Sequence, residues 1–373
     1  MSQIIKGSTP AEDGFYMPAE FSPQDEVFMV WPERTDNWRN GAKPAQAAYA
    51  RVAKAISEFT PVTMMVSTKQ FAHAREILPP EIRVVEVSTD DAWCRDTGPT
   101  FVIDGKGHRR AIDWTYNAWG GLVDGLYFPW DQDDMVAGKV CEMTRTDRYR
   151  TDDFVLEGGS IHVDGEGTVL TTEMCLLSPG RNPDMTREEI EEKLCEYLNC
   201  EKVIWLKDGI DPYETNGHID DVACFIAPGE VACIWTDDSS NPFYKEAQAA
   251  YHALSQAVEA KGRKLKVHKL TLTAKPVLLE GADTIDRVPG TAPRQDGDLC
   301  IASYMNFLIN MNFLITNSGV IVPQYEDEND QLALDQIQAM FPHHKVVGVD
   351  TREIVYGGGN IHCITQQMPS DGK

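Results

Sequence analysis

One grammar recurs along this chain and limits what it can fold into. A glycine-containing turn leads into a β-branched or aromatic run, then a second tight turn, then often another run. It is read at 97–114 (TGPTFVIDGKGHRRAIDW), 157–173 (EGGSIHVDGEGTVLTTE) and 217–235 (GHIDDVACFIAPGEVACIW). A looser copy runs from Cys300 through NSGVIVPQY to Tyr325, and GGGNIHCITQQ covers 357–367. DG, PG or SG between such runs predicts hairpins. EVFMVW at 26–31 reads as an earlier strand opening the series. Helical patterns lie between the hairpins, at 44–60, 186–199, 241–262 and 327–342. The second begins on Thr186 with Glu189 three residues later, a capping-box spacing; the third is expected to stop at Gly262. Hairpin, helix and strand repeated about five times predict one cyclic α/β repeat fold over 1–373, not a string of independent domains. Asp96, Glu157 and His218 are spaced at equal intervals of 61 residues. Polar residues at one position of such a repeat would converge on a common axis.

Charge narrows the function. Lys and Arg number 34 against 58 Asp and Glu, a formal net charge of −24. Nucleic-acid binding needs clustered cations, so that class is excluded. A negative field suits a small cationic substrate, although acidity alone serves solubility too. No apolar stretch is long enough to span a membrane without charged or polar breaks, and MSQIIKGSTPAEDGF lacks the basic and apolar regions of a signal peptide. The nine cysteines are odd in number, scattered, and without CxxC or zinc spacing. Free thiols in a reducing cytosol are expected, hence a cytoplasmic protein.

Four places carry candidate chemistry. Cys363 follows three glycines, which permit unusual backbone angles and close ligand approach. That places the thiol for reactivity rather than burial, although a single cysteine is more often an inert core residue. His362 is adjacent and on a strand would face the other way, which makes it a poor base for Cys363. His218, in ETNGHIDDV, would share a strand face with Asp220 while Asp221 points away; nearby carboxylates would hold its imidazole protonated. Asp96 precedes a Thr-Gly-Pro turn and Glu157 precedes two glycines. Each of these acids alone could merely cap its turn.

Taken together, they fit a guanidinium. That group is planar, permanently charged and rich in donors, so two or more carboxylates suit its edge; Asp96, Asp220 and Glu157 can supply them. Its carbon is a poor electrophile, which calls for a thiolate nucleophile, and the bound cation would stabilise that thiolate. Ammonia leaves readily only when protonated, a task for His218.

At these motifs the sequence resembles the agmatine deiminase family of the guanidino-group-modifying (pentein) superfamily. The resemblance is carried by GSTPAEDGFYMPAEF, VWPERTDNWR, DAWCRDTGPT, NAWGGLVDGLYFPWDQDD, DDFVLEGGSIHVDG, ETNGHIDDVACF and GGGNIHCITQQ, across nearly the whole chain. It implies a five-bladed pseudo-symmetric α/β propeller. It also implies Cys363 as nucleophile, His218 as acid and base, Glu157 as the glutamate that orients the histidine, and Asp96 and Asp220 as guanidinium-binding aspartates. The implied reaction converts agmatine and water to N-carbamoylputrescine and ammonia through a covalent thiouronium, with no metal or organic cofactor. Trp93, Trp119, Asp124 and Glu214 suit an ammonium tail. Arginine or peptidyl-arginine, the rival substrates, would need Arg, Lys or backbone donors at the far end. An amidinotransferase and an inactive guanidinium-binding homologue are the remaining rivals. Expected partners are the small cationic substrate and further copies of the chain (a homo-oligomer), with neither nucleic acid nor membrane. The sequence departs from the family pattern where MNFLIN (305–310) is followed at once by MNFLIT (311–316). Six is even, so face alternation survives, but the added length must bulge, loop out or extend a strand.

Overall fold

The computed structural model describes residues 2–310 and 318–371. The predicted repeat is present as five separate small sheets built on one plan. In each, an antiparallel pair is followed by a helix and a third strand that lies parallel to the second. Thr100–Ile103, Arg109–Thr115 and Arg148–Val155 form one such unit, widened at its edge by Ile4–Ile5. His162–Val163, Thr168–Thr172 and Lys202–Leu206 form the next. Ala223–Ala227, Glu230–Trp235 and Lys266–Thr271 follow. Leu308–Asn310, Gly319–Gln324 and Lys345–Asp350 make the fourth. The last unit is stitched from both ends of the chain. Its antiparallel pair is Thr365–Pro369 against Gln24–Val30, which then runs parallel to Val62–Val66.

Turn chemistry explains the repetition. In DGKG and DGEG the aspartate accepts from backbone N–H groups two and four residues on: Asp104 from Lys106 and His108, Asp164 from Glu166 and Thr168. Gly105 and Gly165 take φ of 67° and 73°, angles that a side chain resists.

Each predicted helical stretch holds a helix, and Phe71–Ile77 and Val136–Thr144 are helices that the pattern did not predict. Lys43–Ser57 buries Ala48, Tyr49, Val52 and Ile56 on one face. Arg187–Leu198 starts on the expected capping box, with Glu189 N–H donating to Thr186 Oγ1 and Thr186 N–H to Glu189 Oε2. One boundary is corrected. The helix placed at 241–262 is Tyr244–Gln256 and does not reach Gly262. Ala257 turns extended, and Glu259 instead caps a separate turn by accepting from the N–H groups of Lys261 and Arg263. Of the doubled segment, the first copy supplies Leu308–Asn310, paired with Gly319–Ile321; the second copy lies outside the described residues. Among those described, no helix is long and apolar enough to cross a membrane.

Candidate active site

The segment just before the first hairpin strand of each unit carries the site. Asp96 sits in the single turn Cys94–Thr97, ahead of Thr100. Glu157 precedes the 3-10 turn Gly158–Ser160, and His218 precedes the 3-10 turn Ile219–Asp221 that holds Asp220. Cys363 lies two residues before Thr365–Pro369. The equal spacing of Asp96, Glu157 and His218 is therefore the repeat itself. The strand expected at 218–221 is corrected: these residues form a turn, and the strand begins at Ala223. The expectation for Cys363 is corrected as well. It is only 5% exposed, lining a cavity rather than standing on an open loop.

That cavity has a volume of about 380 Å³ and is lined by Trp93, Asp96, Trp119, Glu214 and Cys363, with Arg34 and Arg294 among the others. Glu157, His218 and Asp220 are buried beside Asp96. A larger hollow of about 540 Å³ near Lys261 and Arg263 contains none of these groups.

Each polar group is held by specific partners. Asp96 accepts from Gly159 N–H at 2.8 Å and from Trp119 Nε1 at 2.9 Å. Ala118 and Trp119 adopt left-handed φ of 55° and 64°, a strain that delivers the indole to Asp96. Glu157 is fixed by the buried Arg181, whose Nε donates to Oε1 at 2.9 Å. Removing either partner of such a buried pair costs about 3–5 kcal/mol. The other oxygen, Oε2, lies 3.6 Å from His218 Nε2, an ion-pair distance rather than a hydrogen bond. His218 Nδ1 lies 3.9 Å from Asp96 Oδ2. Asp220 Oδ2 meets His362 Nδ1 at 2.8 Å and Cys363 Sγ at 3.6 Å. Glu157 Oε2, Asp220 Oδ1 and both His218 nitrogens are buried with no hydrogen-bond partner among the described residues.

Two glycines create the working space. A Cβ on Gly159 would lie 2.5 Å from His218 Nδ1 and 3.0 Å from carboxylate oxygens of both Asp220 and Asp96. One on Gly359 would press the Trp93 ring at 2.6 Å and Cys363 Sγ at 3.1 Å. Gly159→Ala is therefore expected to lower turnover at least about a hundredfold, as small misplacements of reacting groups do, with an unchanged far-UV circular dichroism spectrum. Near-parental turnover would show that the three groups need not hold these positions.

The electrostatics divide the roles. Burial works against charge on His218, but Asp96, the Cys175 thiol and Glu157 more than offset it and hold the imidazole well above its ordinary range, hence protonated at neutral pH. Burial also opposes charge on Glu157, yet Arg181 and His218 keep it ionised. Asp220 is likewise kept low, against burial, by His362. Asp96 is raised, chiefly by burial. Burial together with Asp220, Asp221 and Asp96 pushes the Cys363 thiol well up. Without a further cation beside it the sulfur holds its proton.

At the outer end the placements differ from expectation. Trp93 lines the cavity and is locked by stacking on Trp38 and by donating to Asp91 Oδ2. Glu214 is not a free acid: Arg294 pairs with it at 2.8 Å. Arg294 also donates to Asn37 Oδ1 and the Gly357 carbonyl, and Arg34 pairs with Asp36. Asp124 accepts from Asn216 Nδ2 at 3.2 Å and does not line the cavity.

Sequence reasoning passed over several residues. Arg181 gave no periodic signal. The strand alternation expected to turn His362 from the thiol is corrected: both residues lie in a turn and both contact Asp220 Oδ2, and His362 joins that carboxylate to the buried Glu20, bonding Oε2 through Nε2 at 2.7 Å. Asn306 donates to Cys363 Sγ at 3.1 Å. Its place two residues before Leu308–Asn310 matches that of Cys363 in its own unit, and the repeat register could have found it. Among the described residues, two groups could hold a metal ion by donor spacing, Glu20–His162–His362 and Glu157–Cys175–His218. In the first, hydrogen bonds already account for the arrangement: Glu20 bonds His362, and His162 Nδ1 accepts from Phe225 N–H.

Comparison with known proteins places this chain in a family. The model of the Porphyromonas-type peptidyl-arginine deiminases matches residues 16–369. A relative in Lactococcus lactis subsp. lactis (strain IL1403), for which agmatine deiminase is the proposed name, is 68% identical over 369 residues, covering 99% of each chain. An agmatine deiminase of Pseudomonas aeruginosa (strain LESB58) is 54% identical, covering 98% of each. The solved agmatine deiminase of Enterococcus faecalis superposes with a TM-score of 0.96 at 66% identity, over 99% of this chain and 100% of that one. The chain belongs to the Porphyromonas-type peptidyl-arginine deiminase family and, with relatives this similar over its whole length, to the agmatine deiminase family.

Proposed function

We propose that this chain is an agmatine deiminase, hydrolysing agmatine to N-carbamoylputrescine and ammonia, and that its five like units are the blades of a five-bladed α/β propeller. The observation that carries the chemistry is a cluster of buried polar atoms with no hydrogen-bond partner among the described residues, Glu157 Oε2, Asp220 Oδ1 and the two His218 nitrogens, gathered beside Asp96, with Cys363 Sγ 3.6 Å from the other oxygen of Asp220. A guanidinium edge offers the donors those oxygens lack.

Entry of the cation among Asp96, Asp220 and Glu157 replaces repulsion at the sulfur by attraction, and the thiol gives up its proton to solvent. Cys363 Sγ then bonds to the guanidinium carbon. One C–N bond breaks as His218 passes its proton to the departing nitrogen, releasing ammonia and leaving a thiouronium on the cysteine. Neutral His218 next takes a proton from water, whose oxygen bonds to the same carbon. The C–S bond breaks, the adduct's hydroxyl passes its proton to the departing sulfur, and the thiol and the neutral ureido product are released.

The cavity's charges favour agmatine over arginine. Asp36, Asp91, Asp96, Asp211, Glu214 and Asp298 line it against two cations, Arg34 and Arg294, each already paired. A carboxylate beside the tail amine would meet acids and no unengaged lysine or arginine. Like-charge juxtaposition costs several kcal/mol, so kcat/KM for agmatine is expected to exceed that for arginine by about a hundredfold or more. Ammonia release measured side by side on agmatine, arginine and a peptide with C-terminal arginine tests the assignment. Equal values for agmatine and arginine would move the protein to the arginine deiminase reading.

A further inference from the structure

We infer that Asn306 is a positioning residue for the nucleophile: its amide pins the Cys363 loop and aims an N–H at Cys363 Sγ, favouring the thiolate when the guanidinium carbon is attacked. The inference rests on the assignment of Cys363 in the proposed function.

Asn306 is fully buried, and all of its side-chain hydrogen-bonding directions are committed. Its Oδ1 accepts from the backbone N–H groups of His362 at 2.8 Å and Cys363 at 3.2 Å. Those two donors fix the amide orientation, because a flipped amide would set N–H against N–H. Nδ2 must then point the other way, and it donates to Asp221 Oδ1 at 3.0 Å and Cys363 Sγ at 3.1 Å. The loop of one unit is thereby registered on the turn of another through a single side chain. Asn306 also gives the fourth sheet a contribution at the position where the other units present Asp96, Glu157, His218 and Cys363.

The chemistry needs such a donor. The groups that most affect the thiol are acids, Asp220, Asp221 and Asp96, and the buried phenols of Tyr49 and Tyr325 lie within its electrostatic reach. Substrate supplies a cation only while bound. A neutral N–H aimed at sulfur favours the charged form without competing for the carboxylates that clasp the guanidinium. Such a bond also blunts the sulfur's intrinsic nucleophilicity. Below the thiol's pKa, one pH unit of lowering raises the thiolate fraction about tenfold and lowers nucleophilicity about threefold. The net effect is a gain.

Asn306→Asp separates aim from anchorage. It keeps an oxygen for the two backbone donors and replaces the N–H donor with a second carboxylate oxygen. Asn306→Ala removes both functions. Two readouts are taken on folded protein: the pH dependence of Cys363 alkylation by iodoacetamide, mapped by peptide mass, and kcat and KM for ammonia release from agmatine. In Asn306→Asp the alkylation midpoint is expected to rise by at least about one pH unit and kcat to fall about tenfold or more, with KM within about threefold. In the unsubstituted protein labelled with ¹⁵N at asparagine side chains, one amide resonance should follow the titration of Cys363, which needs no variant to fold. Midpoint and kcat unchanged in Asn306→Asp, or no amide resonance following the thiol, would overturn the inference and leave Asn306 as a loop anchor. Cys363→Ser is the control for the reading beneath: if it still releases ammonia at the parental rate, the nucleophile assignment fails, whereas an inactive Cys363→Ser beside an unshifted Asn306→Asp sinks only this inference.

Discussion

Replacing Cys363 with serine is expected to remove ammonia release from agmatine by a factor on the order of 10⁴ or more, the scale seen when a nucleophile is lost, while agmatine still binds. The reason lies in how the site divides its labour. In the proposed mechanism affinity for the guanidinium comes from Asp96, Asp220 and Glu157, each fixed by partners other than the sulfur: Trp119 and Gly159 for the first, His362 for the second, Arg181 for the third. Serine leaves those partners in place. A hydroxyl ionises at far higher pH than a thiol, and the acids around position 363, which already hold the thiol protonated, oppose an alkoxide still more. The incoming cation relieves that opposition for sulfur and falls short for oxygen. Isothermal titration with agmatine should give a dissociation constant within about tenfold of the parent's KM, and the mass spectrum under turnover should lack the thiouronium adduct. Substantial ammonia release by the variant would remove Cys363 from the mechanism.

The repeat was legible because it is written locally. DG and PG turns, the capping box at Thr186 and apolar runs at helical spacing act over a few residues, and they gave the hairpin–helix–strand order. The same register set Asp96, Glu157 and His218 at matching places. What escaped depends on partners far away in sequence. Glu214 reads as a free acid until Arg294 is seen against it. Asn306 reads as part of an apolar strand until the Cys363 loop closes onto it, 57 residues later. The stop expected at Gly262 failed because a side chain, Glu259, built a cap that no glycine rule anticipates. Placing His218 and Asp220 on one strand face failed similarly: a 3-10 turn, not pleat alternation, sets their directions.

His218→Ala is expected to lower kcat by two or more decades, the usual weight of a positioned acid–base group, and to remove the alkaline limb of the pH–rate profile. Burial alone would push this imidazole below its ordinary 6.5, yet Asp96, the Cys175 thiol and Glu157 reverse the sign and raise it well above. The protonated form therefore prevails at neutral pH, as a proton donor to departing ammonia requires. The sign for rate follows: the acid is fully present below its raised pKa and is lost as pH rises through it. Stability follows the same direction. His218 contributes its full stabilisation below about 6.5, its unfolded value, and that contribution disappears as pH rises through the folded value. The raised pKa also meets the second half-reaction, because the imidazole that has given its proton to ammonia is a strong base toward water. Alanine removes donor and base together but leaves the carboxylates that bind the guanidinium, so KM should move far less than kcat. Parental kcat with the alkaline limb intact would reduce His218 to a structural role between Asp96 and Glu157. A slowed variant that keeps the limb would instead assign that limb to a group other than His218.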